Sequence, residues 1–155
     1  MLSSVHGPQW IGNKKAGWFD VGAAHWYELK LFSRTATYCI EEGNSGVDYE
    51  GGMWHTAVKK YLKKNKSSIL PKLTQLTSGV LEKEQHALSW SLYDYMVSNH
   101  TSKLKKILLG FKAGETTRDL FKKHLNMSVI QVEEAWRRWV AETYPIKNPK
   151  PRKKV

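Results

Sequence analysis

From Glu82 to Val140 apolar residues return at three- and four-residue spacing in one segment after another. Nowhere does the chain alternate apolar and polar residues long enough to line one face of a strand. A backbone patterned this way buries its apolar atoms as stripes on helices. The run from Glu82 to Val97 opens with acids, which favour a helix N-terminus through the dipole, and places Leu88, Leu92, Tyr95 and Met96 on an inner stripe. From Thr101 to Lys112 a second helix carries Leu104, Ile107, Leu108 and Phe111 inward, with Lys103, Lys105, Lys106 and Lys112 off the stripe. Ala113 and Gly114 predict a C-cap, and Thr116 or Thr117 caps a helix through Leu120, Phe121 and Leu125. Ser128 and Gln131 spell a capping box ahead of Val132, Trp136, Trp139 and Val140, and Pro145 follows the end of that helix.

The earlier half is less regular. The first sixteen residues read as loop. Trp18 to Phe32 (WFDVGAAHWYELKLF) is apolar on nearly all sides, a pattern that suits a helix buried in a larger assembly. A turn-rich stretch with Gly43, Gly46, Gly51 and Gly52 follows. Met53 to Lys64 is then helical, with Trp54, Val58 and Leu62 inward, and a short helix with Pro71 in its first turn runs to about Thr77. The expected fold is all-α, a bundle of about six short-to-medium helices forming one domain over residues 1–144, with a disordered basic tail over 145–155.

Charge is unevenly spread. Residues 1–50 carry four basic and six acidic side chains, so the formal +11 of the whole chain is concentrated in residues 51–155, at +13. The tail residues Lys147, Lys150, Arg152, Lys153 and Lys154 are candidates for binding phosphates, of a nucleic acid or of an anionic lipid surface. Aromatics on the helical stripes, Trp90, Trp136 and Trp139, read as core rather than as base-stacking platforms. No run of about 18 apolar residues occurs, so no transmembrane helix is expected, and the first residues lack a signal-peptide pattern. The reading is of a soluble chain whose compartment the sequence leaves open.

Catalytic patterns are scarce. With Cys39 alone there is neither an internal disulfide nor a cysteine-based zinc cluster, and a lone buried thiol is the expectation there. The six histidines include no pair three or four residues apart, and His-Glu-x-x-His, the phosphate-loop patterns and G-x-S-x-G are all missing. His25 and Glu28 stand one helical turn apart and are the weak metal candidates, against the plainer reading of a satisfied structural histidine, since the pair supplies only two ligands. His86, one turn after Glu82, suggests a surface ion pair.

The segment AGWFDVGAAHWYE (Ala16 to Glu28) resembles the x-x-W-L-x-E-G-L-A-x-Y-x-E stretch of gluzincin-type, or peptidase MA-like, zinc metallopeptidase-like proteins. The run from Leu70 to Val140 resembles the helical part that follows it there. The resemblance implies a helical architecture next to a catalytic helix whose His-Glu-x-x-His supplies two zinc ligands and a general base, the Glu of E-G-L-A being the third ligand. In this chain that third position is Val21, which has no lone pair to offer a metal, and the motif helix is not in the sequence. Neighbouring Asp20 points about 100° away on a helix.

Three functional readings follow. The first is a non-catalytic fragment or degenerate relative of such a protein, a scaffold or interaction domain that meets a protein partner or another copy through the Trp18 to Phe32 helix. In it no catalytic or cofactor-binding residue is expected. The second is a zinc-dependent hydrolase whose missing ligands come from an upstream segment. The third is a basic helical binder of nucleic acid or an anionic surface.

Overall fold

A computed structural model describes residues 11, 15–35 and 49–147. The helices are α1 (Gly17–Phe32), α2 (Trp54–Lys64), α3 (Leu70–Leu73), α4 (Lys83–Lys112), α5 (Thr117–Leu125) and α6 (Val129–Thr143), with 3-10 turns at Glu50–Gly52 and Ser78–Val80. No strand occurs among the described residues, and the fold is the expected helical bundle. The domain limits at residue 1 and over 148–155, most of the turn-rich stretch, and Cys39 lie outside the described residues.

The local start and stop signals act where the sequence puts them. Ser128 accepts the Gln131 N–H at 3.2 Å while the Gln131 side chain accepts the Ser128 N–H at 2.8 Å. Thr116 is the N-cap of α5 and accepts the Asp119 N–H. At the end of α4 the Gly114 N–H reaches Phe111 O and the Glu115 N–H reaches Gly110 O, with Gly114 at φ 86, a left-handed conformation that glycine adopts without strain.

The pair of helices expected over 82–97 and 101–112 is one helix. Residues 98–101 contain neither Gly nor Pro, so nothing forces the chain out of register, and the break shrinks to a single non-helical residue, His100 (φ −136, ψ 28). Asn99 donates to Tyr95 O at 3.0 Å and Thr101 to Val97 O, side-chain bonds to carbonyls one turn back that bend a helix. The short helix with Pro71 in its first turn is also shorter than expected, ending at Leu73.

α4 is the central element: α1 lies along it, and α2, α5 and α6 also pack on it. All residues from 86 to 93 are buried, so this stretch of α4 has no solvent face. Its close partner is α1. A Cβ on Gly22 would lie 2.5 Å from Ser89 O and 2.9 Å from Tyr93 Cβ, so only glycine lets the two backbones approach this far. Trp18, Phe19, Phe111 and Phe121 close the core beneath them as edge-on and tilted rings, and the Trp18 indole N–H is satisfied by Thr117 Oγ1 at 3.0 Å.

Candidate functional site

α1 and α4 between them hold a line of three titratable groups, two buried histidines and a half-buried carboxylate. His25 faces α4 from the middle of α1, and one turn later Glu28 places Oε2 3.1 Å from its Nδ1. The other ring nitrogen, Nε2, is 3.0 Å from Nδ1 of His86. His25 and His86 are 4% and 3% exposed, so both imidazoles depend on protein partners rather than water. The Trp54 ring of α2 closes the site edge-on to His25, centroids 4.9 Å apart.

The chemistry of this line follows from its donors. An ionised Glu28 accepts, so His25 donates from Nδ1. One proton then lies between the two rings. With both rings neutral it sits on His86 Nδ1 and is donated to His25 Nε2. When His25 is an imidazolium it sits on His25, and His86 carries its own proton on Nε2. The state of the buried pair therefore sets the tautomer of His86. Glu28 meets His25 at Nδ1, so the pair is a hydrogen-bonded histidine and carboxylate on one turn of α1.

His86 was expected at the surface beside Glu82, and the structure places it in the core instead. Its signal was present in the sequence, since His86, Ser89, Trp90 and Tyr93 share a helical face, but the stripe of Leu88, Leu92, Tyr95 and Met96 is the more apolar one. Both are buried because α4 is surrounded.

Val21 is half-buried and packs against the core, and Asp20 beside it is half-buried as well. Among the described residues no group of three or more His, Cys, Asp and Glu could hold a metal ion. The described side chains do not fit the zinc that the resemblance implies.

Helix α1 does not present an apolar surface along its whole length, as its sequence suggests, because α4 takes up Trp18, Phe19, Ala23 and His25 within this chain. The uncovered part is the last turn and a half: Tyr27 is 53%, Leu31 72% and Phe32 71% exposed. Exposed Lys30 and Arg34 flank it, with the Lys30 ammonium 5.5 Å from the Trp26 ring centroid.

A second polar centre forms at Asp94, about two turns along α4 from His86. Its carboxylate accepts from the Trp26 indole at 2.8 Å and from the Tyr144 phenol at 3.0 Å. Burial, with the Asp94 charge beside it, pushes the Tyr144 phenol well above its ordinary value and keeps it a donor. His55 stands edge-on to both the Trp90 and Tyr144 rings, at 4.7 and 4.8 Å, where burial lowers its pKa against the opposing pull of Asp94.

Trp90 and Trp136 are core residues, as expected, and Trp139 is half-buried against Tyr95 and Tyr144. Of the tail candidates Lys147 is exposed, while Lys150, Arg152, Lys153 and Lys154 lie outside the described residues. No helix among the described residues is long and apolar enough to cross a membrane. Comparison of the chain with protein-family models, curated proteins and solved structures finds no match in any of the three.

Proposed function

We propose that this chain is a non-catalytic helical interaction domain, a degenerate relative or fragment of gluzincin-like metallopeptidases, that docks a protein partner through the C-terminal end of α1. The observation that carries the reading is the exposure of Leu31 and Phe32 at the end of a helix whose preceding turns are packed on α4. Covering a large apolar side chain is worth about 1.5–3 kcal/mol, so two adjacent ones left in water favour a partner. Lys30 and Arg34 select its chemistry: an apolar groove rimmed by acidic side chains. Two copies joined through this end would bring the same cations together. Val21 supports the non-catalytic half of the reading, since a hydrocarbon stands where the resemblance requires a ligand.

The test combines binding of an apolar-surface dye with sedimentation velocity on the wild type and on L31E/F32E. A monomeric wild type that binds dye, and a double variant that is equally folded and does not, is the expected result. A wild type that binds no dye, or that dimerises through this end, overturns the reading.

A further inference from the structure

Residues 51–81 contain six lysines and no acid. In α2, Trp54, Val58 and Leu62 face the core, and Lys60, Lys63 and Lys64 are exposed on the diametrically opposite side. Lys59 is consumed by the fold, donating to Tyr144 O at 2.6 Å. Lys60, Lys63, Lys64, Lys66 and Lys72 are paired with no carboxylate among the described residues, whereas Lys123 on α5 is held by Glu115 at 3.0 Å.

The connector that carries this charge is fixed in place. Arg137 of α6 donates to the carbonyls of Leu62, Asn65 and Ser67, and Glu133, one turn earlier, accepts the N–H groups of Ile69 and Leu70. The end of α2 and residues 65–70 are thus tied to α6 by backbone bonds at both ends. Lys63, Lys64, Lys66, Ser67 and Ser68 project from a fixed backbone, which reduces the ordering cost of binding.

What this face lacks selects its ligand. No large hydrophobic side chain is exposed from 60 to 72, so there is nothing to insert into a bilayer, as a lipid-binding helix requires. No aromatic ring is exposed there either, so bases have no platform on which to stack, as single-stranded binding requires. Lysines and serine hydroxyls remain, and these recognise phosphates along a duplex backbone.

We propose that the face formed by Lys60, Lys63, Lys64 and Lys66 binds the phosphate backbone of duplex nucleic acid without reading its sequence. This surface is independent of the α1 docking end and stands or falls separately.

The experiment measures fluorescence anisotropy of a labelled mixed-sequence DNA duplex with the full chain over a series of salt concentrations. The expected wild-type result is affinity that falls steeply with salt. K60Q/K63Q/K64Q/K66Q, all exposed substitutions, should lower the log–log slope by about 0.9 for each lysine that contacts a phosphate. K103Q/K105Q/K106Q/K122Q removes the same charge elsewhere and should leave the slope near the wild-type value. Equal losses in both variants, a shallow wild-type salt dependence, or tighter binding to oligo(dT) or to phosphatidylserine vesicles than to the duplex would each overturn the proposal. So would a slope that responds only to K150Q/R152Q/K153Q/K154Q in the tail.

Discussion

Glu133 and Arg137, one turn apart on α6, hold each other at 2.9 Å and together bind both sides of the same connector: the guanidinium takes its carbonyls, the carboxylate its N–H groups. Glu133 is 3% exposed, so its charge is supported by Arg137 and by two backbone N–H donors rather than by water. Breaking a buried pair by removing one partner is costly because the other charge stays behind. Arg137→Ala is expected to destabilise the protein by about 3–5 kcal/mol in urea unfolding. A loss below 1 kcal/mol would mean that water reaches the carboxylate and that the connector does not depend on α6.

The buried histidine line predicts a tautomer. At high pH His86 should carry its proton on Nδ1 and His25 on Nδ1 as well, each aimed at its acceptor, His25 Nε2 and Glu28. Long-range proton–nitrogen correlation spectra read this directly. Finding neutral His86 protonated on Nε2 beside a neutral His25 would contradict the geometry. His25→Ala, which opens a cavity and removes the acceptor of His86, is expected to cost about 2–4 kcal/mol.

Two other histidines set a pH dependence. Burial lowers the pKa of His55, and burial together with Lys103 lowers that of His100, each from an ordinary value of 6.5. In that case the unfolded chain binds protons at a pH where the folded one does not, so stability increases with pH across the window below 6.5. The contribution is fully present above that value and is lost as the pH falls toward the lowered folded values. Urea midpoints should drop on acidification through this window, and the drop should shrink in the His55→Phe variant. An unchanged pH profile in that variant would remove His55 from the account.

The contact of α1 with α4 predicts a pair of opposite effects. Gly22→Ala drives a Cβ into Ser89 O and Tyr93 Cβ and is expected to cost about 1–3 kcal/mol, because the first obstacle is backbone and cannot swing away. Ser89→Ala, in the same contact, removes a buried hydroxyl that has no hydrogen-bond partner and is expected to stabilise by about 1 kcal/mol. Thermal or urea unfolding of the two variants checks both signs.

The elements whose signals are local were legible in the sequence. The Ser128–Gln131 capping box and the stripe of Val132, Trp136 and Val140 lie within a few turns of one another, and α6 begins and buries its face as they specify. The same holds for Gly114 and Thr116. Around Ser98–Thr101 polar residues suggest an end, but without Gly or Pro the hydrogen-bond ladder of α4 absorbs them at the cost of a bend. Of the candidate site, the one-turn spacing of His25 and Glu28 was readable because both residues stand on one helix. Whether α1 would expose its apolar sides was not readable, since α4 is what covers them.

The sequence by itself determined that the described chain is helical, where most helices start and stop, and that a hydrocarbon stands at position 21, because propensity, capping and side-chain chemistry are properties of neighbouring residues. Only the tertiary structure decided that His86 meets His25 across 61 residues, that Glu133 reaches Ile69 and Leu70 across 64 and 63, and that Leu31 and Phe32 are left uncovered. Those outcomes depend on which helix packs against which, and the pairing is chosen by total burial and by the glycine at position 22 that allows close approach.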